Sequence, residues 1–327
     1  MLVMRVADEA SRRAALARGA ELLRAGRLVA FPTETVYGLG ANALDEAAVQ
    51  RIYDAKGRPA INPIIVHVAS LAAARELALD WPVAADAIAR AFWPGPVTIV
   101  VRKQSVVPDI VSAGGDTVGL RVPAHPLALA LIEQARVPVA APSANLSTQV
   151  SPTSAQHVEG GLGDRVDLII DGGPTTVGIE STVVDVTGAT PRVLRPGMIG
   201  RDAIARVAGA AESHSARVSG PSGAPRSPGL LGKHYAPRGR VILVDPDAMR
   251  DAARRHRRSS RVGVIAFGAM DGDAVRVMPR EPGAYARDLY AALHAMDAER
   301  CDVVLIEHPP DAPEWAAIVD RLQRAAR

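Results

Sequence analysis

The sequence predicts an α/β fold in two parts: a larger, twisted, mixed sheet with packed helices, then a small α/β domain. Three observations carry this. Short apolar runs of strand length alternate irregularly with helix-period segments over the first two hundred residues, without a strict β-α-β repeat, which points to a mixed sheet. From about 209 to 239 the composition turns to Ser, Gly, Pro and Ala, a linker with no packed core of its own. Beyond it, strand and helix patterns alternate strictly, as in a parallel sheet. The division is therefore 1–208, a linker over 209–239, and 240–327.

In order, residues 8–26 read as a helix capped by Asp8 or Ser11 and ended by Gly26. A buried strand over 28–31 stops at Pro32. Thr33, Glu34, Thr35 and Tyr37 then form a polar turn, in which Gly38 and Gly40 let the backbone bend or a ligand come close. A helix from Asp45 runs to Ala55, and strands follow at 64–68, 97–102, 117–122, 138–141, 167–171, 181–186 and 191–194. Helices are expected over 70–80, 82–92 and 126–134, with a further start near Ser151-Pro-Thr153. The second part reads as strands at 241–244, 262–267, 274–278 and 303–307, and helices at 246–258, 283–299 and 313–325. Its first βα turn lacks Gly-x-Gly-x-x-Gly, so no dinucleotide site is expected there.

Composition narrows the function. Hydrophobic residues make up 48% and charged residues 22% of 327, the range of a globular protein with room for two domains. No apolar run is long enough to span a bilayer and no signal-peptide pattern opens the chain, so a cytoplasmic location is expected. The one cysteine, Cys301, excludes an intrachain disulfide and a cysteine-held metal. The net charge of +3 is too small to mark a strong nucleic-acid binder. A pI of about 9.3 leaves room for a local basic surface, and the basic run 254–258 reads as a solvated helix end or a weak RNA contact. Aromatics at 3% argue against a base-stacking platform.

The polar residues set among apolar ones carry the chemistry. Lys56 and Arg58 flank a helix end, a point charge and a planar fork suited to phosphate, or equally to the helix dipole. Pro59, Asn62 and Pro63 hold Arg58 on a stiff mount outside the helix. Ser143 and Asn145 leave a buried strand on one side of an extended segment, facing phosphate or a metal-bound water, or closing an Asx turn. Ser151 opens a segment whose free N–H groups suit an anion. Arg121 lies in an apolar strand and must be paired or face a cavity, whereas His67 in its strand reads as a core residue. No Gly-x-x-x-x-Gly-Lys-Ser/Thr, no Gly-x-Ser-x-Gly and no metal-spaced His pair occurs. What remains can bind polyphosphate and stabilise charge but offers no covalent nucleophile.

These segments, in this order, resemble the YrdC-like family, specifically the long threonylcarbamoyl-AMP synthases with a C-terminal extension. The resemblance rests on Phe31-Pro-Thr-Glu-Thr-Val-Tyr-Gly-Leu, Lys56-Gly-Arg58, Asn62-Pro-Ile-Ile-Val-His67, Trp93-Pro-Gly-Pro-Val-Thr98, Gly119-Leu-Arg-Val-Pro123, Pro142-Ser-Ala-Asn145 and Gly178-Ile-Glu-Ser-Thr182. Arg195-Pro-Gly197, Ser227-Pro-Gly and His234-Tyr-Ala-Pro237 extend it. The C-terminal part matches only in size and βα pattern, read as Rossmann-like.

The resemblance implies that L-threonine and bicarbonate (or CO2) react with ATP to give threonylcarbamoyl-AMP and pyrophosphate. Mg2+ would be held mainly by the triphosphate rather than by protein ligands. A partner transferase would then modify the tRNA adenosine next to the anticodon. By resemblance, Arg58, Asn62, Thr117, Ser143, Ser151, Arg195, His234 and Tyr235 hold ATP. Thr35, His67, Arg121, Ala141 and Ser181 hold L-threonine, and Lys56 and Asn145 lie near the reacting phosphate. The linker, with Tyr235 between prolines, is expected to close over the nucleotide as a lid. The alternatives are a carbamoyl-adenylating YrdC-like enzyme of hydrogenase maturation and an RNA-binding module.

Overall fold

The computed structural model describes residues 1–213, 226–228 and 234–327. Most of the expected linker and lid, residues 214–225 and 229–233, lies outside the described residues.

The chain begins with strand β1 (Leu2–Arg5), helix α1 (Glu9–Arg24) and the hairpin β2 (Val29–Pro32) and β3 (Tyr37–Asn42). Then follow α2 (Glu46–Lys56), β4 (Val66–His67), α3 (Leu71–Glu76), α4 (Val83–Phe92), β5 (Val97–Arg102) and β6 (Thr117–Arg121). Next come α5 (Pro126–Ala135), β7 (Val139–Ala140), α6 (Ala155–Leu162), β8 (Leu168–Asp171), β9 (Thr182–Asp185), β10 (Arg192–Arg195), α7 (Arg201–Ala208) and β11 (Glu212–Ser213). The C-terminal part holds β12 (Arg240–Val244), α8 (Met249–His256), β13 (Val262–Ala266), β14 (Ala274–Val277), α9 (Pro282–Ala298), β15 (Val303–Glu307) and α10 (Ala316–Ala325). No described helix is long and apolar enough to cross a membrane.

Two sheets organise these elements. The first has eleven strands in the order β1-β8-β2-β3-β7-β4-β6-β5-β9-β10-β11, with parallel and antiparallel neighbours mixed. The second has four parallel strands in the order β12-β15-β13-β14. The expected mixed sheet followed by a parallel one is what the chain forms.

Several elements differ from the sequence expectation. The polar turn after β2 spans only residues 33–36, and Tyr37 to Asn42 return as β3, paired with β2 from Pro32↔Tyr37 to Val29↔Gly40. Gly40 is there for packing: a Cβ would strike the Phe31 ring and Val139. The strand expected over 64–68 shortens to two residues, because β4 only bridges β6 and β7. Leu2 to Arg5, not expected as a strand, pairs with β8. Glu212 and Ser213, read as linker, pair with β10. The helix near residue 151 begins only at Ala155, where the Ser154 hydroxyl accepts from His157 N, so Ser151 opens no helix. The cap of α1 is as expected, a reciprocal Asp8–Ser11 box.

One apolar core lies between the sheet and helices α2 and α4, and a second beneath α1 and α5. A third crosses between the two parts. It joins Val36, Val150 and Ile179 to Tyr285, Leu289, Tyr290 and Leu293 of α9. Gly178 fits this contact: at φ +83° it sits where a Cβ would run into the backbone of Ala286 and Arg287.

Candidate active site

The strand ends deliver side chains to one cavity. Residues 33–36 follow β2, His67 and Arg121 close β4 and β6, Ala141 to Ser143 follow β7, Ser181 precedes β9 and Arg195 closes β10. Thr35, Arg58, His67, Arg121, Ala141, Ser143, Ser181, Arg195, His234 and Tyr235 all line it, together with Glu180. Loops leaving a rigid sheet are where such convergence is cheapest, since the sheet fixes their roots.

Three arginines give the cavity its charge. Arg58 follows the left-handed Gly57 cap of α2, and its Nε and Nη2 donate to the carbonyls of Asn62 (3.0 Å) and Pro63 (2.6 Å). These bonds aim the guanidinium, as the stiff mount suggested. Arg195 Nε and Nη2 donate to Ser181 O at 3.1 and 3.0 Å, and Nη2 also reaches Ser181 Oγ at 3.1 Å. Arg121 is buried, with Nε donating to Gly95 O (3.1 Å) and Nη1 to Thr35 Oγ1 (3.0 Å). Its Nη2 lies 2.8 Å from Glu34 Oε1. Burial would raise the Glu34 carboxyl, but the Arg121 charge outweighs it and holds the group below its usual range. The ion pair is not aligned as a hydrogen bond, so Arg121 Nη2 and both Glu34 oxygens lack a bonded partner.

Other buried polar atoms without partners belong to the same region. They are His67 Nδ1, Asn62 Oδ1, Asn145 Oδ1, His234 Nδ1 and the Tyr235 hydroxyl. Such atoms are rare in proteins and mark places where a ligand or water completes the bonding. Burial, with the nearby Arg121 charge, pushes His67 down to about 3, so the ring is neutral at physiological pH. His67 thus borders the cavity instead of being the satisfied core residue its strand suggested.

Five expected residues do not line this cavity. Lys56 is buried and donates to the carbonyls of Ser143 and Asn145, both at 2.5 Å. It is therefore not a mobile charge but a clamp on the 143–145 turn, and burial holds its amino group well below the usual lysine range. Asn145 donates from Nδ2 to Leu146 O and Gln149 O, closing the turn on itself. Ser151 is buried and donates to Glu180 Oε1 (2.6 Å). The Asn62 carbonyl serves Arg58. Thr117 lines a second cavity with Thr98, Ser112 and Asp116, which shares Pro63, Ile65 and Pro228 with the first. Among the described residues no group of three His, Cys, Asp or Glu could hold a metal ion.

Sequence reasoning missed Glu34, Glu180 and Arg321. Each had a signal: a carboxylate inside a hydroxyl-rich turn, another between Ile179 and Ser181, and an arginine on the Ile318, Leu322, Ala325 stripe of α10. Their partners are far away in sequence, which no local pattern reveals.

Known proteins show the same architecture. Residues 21–197 match the family described as "Telomere recombination" (Sua5_yciO_yrdC), and residues 199–327 match "Threonylcarbamoyl-AMP synthase, C-terminal domain". The threonylcarbamoyl-AMP synthase of Pyrococcus abyssi is 45% identical over 94% of this chain and 92% of its own length. That of Bacillus subtilis is 40% identical over 95% and 92%. The solved structure of P. abyssi Sua5 complexed with L-threonine superposes with a TM-score of 0.92 at 41% identity, covering 99% of this chain and 97% of that one. Escherichia coli YciO matches with a TM-score of 0.54 at 26% identity, over 60% of this chain and 94% of its own. The family matches define a YrdC-like enzyme of the nucleotidyltransferase type. The chain belongs to the threonylcarbamoyl-AMP synthase family, in its two-part form.

Proposed function

We propose that this enzyme makes threonylcarbamoyl-AMP and pyrophosphate from L-threonine, bicarbonate or CO2, and ATP. The observation that carries the reading is the convergence of Arg58, Arg121 and Arg195 on one cavity bordered by unpartnered buried polar atoms. A pocket that collects cations and hydroxyls without a nucleophile suits nucleotidyl transfer, which needs positioning and charge stabilisation.

On this reading the Arg121 Nη2, together with Thr35 and the Ser181 hydroxyl, takes the threonine carboxylate. His67, neutral, faces the rest of the amino acid. The threonine nitrogen bonds to CO2 carbon and loses a proton, giving a carbamate. A carbamate oxygen attacks the α-phosphorus, the bond to the β-phosphate oxygen breaks, and pyrophosphate leaves with the electron pair. Arg58 and Arg195 hold the phosphate oxygens, and Ser143 lies beside them on the turn fixed by Lys56 and Asn145. The second cavity, lined by Thr117, adjoins the first at Pro63, Ile65 and Pro228, next to Asn62, and would take the nucleoside. His234 and Tyr235 border the nucleotide. Mg2+, when bound, would neutralise the triphosphate; the unpartnered Asn145 amide oxygen suits such a contact but is not a protein site by itself.

The product is a reactive mixed anhydride, so a carbamoyl-transfer step must consume it. We assign that step to a partner transferase acting on tRNA in the cytoplasm. The residue division 1–208, 209–239 and 240–327 completes this reading. An RNA-binding module would rest on the basic run alone, where Arg254, Arg255, Arg257 and Arg258 are exposed around the end of α8 and Arg257 pairs with Asp273, and it would leave the buried Arg121 and the polar turns unexplained. The test follows pyrophosphate release with L-threonine or bicarbonate omitted in turn. Release should require both; release of inorganic phosphate, or indifference to threonine, would remove the reading.

A further inference from the structure

The C-terminal part reaches the cavity through a buried ionic cluster. Glu180, which lines the cavity, receives three donors on its two oxygens. Ser151 Oγ binds Oε1 at 2.6 Å; the Tyr290 hydroxyl of α9 and Arg321 Nε of α10 bind Oε2 at 2.9 and 2.8 Å. Arg321 is 1% exposed. Its Nη1 donates to Asp320 Oδ2 at 2.7 Å, and its guanidinium carbon lies 5.2 Å from the centre of the Tyr235 ring. Tyr235 also stacks on Tyr290, with centroids 5.8 Å apart and planes at 24°. Its segment is gripped from both sides: His234 N donates to Arg324 O of α10, and Ala236 N donates to Thr148 O. Asp320 accepts from Arg324 as well as Arg321, which closes the cluster.

Docking alone does not require this. The apolar contact of Val36, Val150 and Ile179 with α9 already joins the two parts. A buried ion pair is often no more stabilising than apolar residues of equal volume, so its presence argues for geometry rather than adhesion. We propose that the C-terminal part is a working component of the active site, with Arg321 the positioning residue that holds Glu180, Ser151 and the Tyr235 ring around the nucleotide. The proposal rests on the cavity being the ATP site.

Charge supports the geometry. Burial would raise the Glu180 carboxyl, yet Arg321 and Arg195 outweigh it and hold it at about 2. The groups facing it are Ser151, Arg195 of β10, Tyr290 of α9, Arg321 with Asp320 of α10, and His234 and Tyr235. Without Arg321 the carboxyl rises, so Glu180 begins to protonate at a higher pH.

The experiment is Arg321→Met in the full-length chain. A non-hydrolysable ATP analogue should bind about tenfold to a hundredfold more weakly, the scale on which small misplacements act. The KM for L-threonine should change less than the analogue affinity, because Thr35, His67 and Arg121 lie outside the cluster and only Ser181, next to Glu180, borders it. The acid limb of the pH–rate profile should move to higher pH, and Arg321→Lys should move it back while restoring only part of the affinity. Native analogue affinity and an unmoved acid limb in Arg321→Met would overturn the proposal. If that variant does not fold, Tyr290→Phe decides: it removes one donor to Glu180 and keeps the ring stack, and unchanged analogue affinity would count against the inference. Analogue binding needs no turnover, so it is read even if pyrophosphate release proves independent of threonine. A native chain that binds no analogue would remove both readings together.

Discussion

Replacing Arg121 by methionine keeps most of the side-chain volume, breaks the Arg121–Glu34 pair and also removes the bonds to Gly95 O and Thr35 Oγ1, so the pH dependence is needed to single out the charge. Both side chains are nearly inaccessible, at 4% and 9% exposure, with 2.8 Å between Nη2 and Oε1. Removing one partner of a buried pair costs about 3–5 kcal/mol, because the other charge stays behind in an apolar setting. At the lower end, about 3 kcal/mol corresponds to a fall in melting temperature of about 6–12 °C for a unit of this size.

The pH dependence identifies the cause. In the native chain Glu34 is held below its ordinary value, so its contribution is full above the unfolded pKa of about 4.3 and fades as pH falls through the folded one. In Arg121→Met, burial remains the largest influence and is opposed only by the backbone N–H groups of Glu34 and Ala124, so the carboxyl rises. The penalty is then present at neutral pH and shrinks as acid protonates Glu34. Thermal unfolding of both chains between neutral and mildly acidic pH should show the gap closing, and Glu34→Gln in the same variant should restore much of the loss. A pH-independent deficit that survives the double substitution would refute the buried-charge argument. In kinetics, losing a charge-assisted bond to the threonine carboxylate, about 1.5–3 kcal/mol, should raise the threonine KM roughly tenfold to a hundredfold. An unchanged KM would remove Arg121 from that carboxylate.

Two further outcomes are expected. Arg58→Ala should lower the rate of pyrophosphate release about a hundredfold, or roughly 3 kcal/mol, with the fold intact by circular dichroism; native kinetics would leave Arg58 only the structural role of its bonds to the Asn62 and Pro63 carbonyls. Gly178→Ala should disturb the loop carrying Glu180, because its Cβ has no room against the α9 backbone and its φ is +83°. Calorimetry should show a destabilised junction and weaker ATP binding, and a variant indistinguishable from native would mean the two parts are not tightly docked there.

The sequence by itself determined the class of fold and most of the cavity. Apolar period located β5, β6, β8 and every strand of the C-terminal sheet, because each is long enough for its pattern to repeat. Resemblance in motif order pointed to Arg58, Ser181, Arg195 and Tyr235, and Arg121, set in an apolar run, had to face a partner or a cavity. Tertiary structure decided the rest. The two-residue strands β4 and β7 are too short to have a period and exist only because their neighbours bring hydrogen-bonding edges to them. β3 looked like a turn because its two glycines serve the Phe31 and Ala141 side chains across the sheet. Lys56 looked like a phosphate ligand until folding brought Ser143 and Asn145, 87 and 89 residues away, to its amino group. Arg321 looked like an ordinary charge on a terminal helix, and its carboxylate lies 141 residues earlier in the chain. A local pattern records what a residue can do; only the packing of distant segments decides which partner it meets.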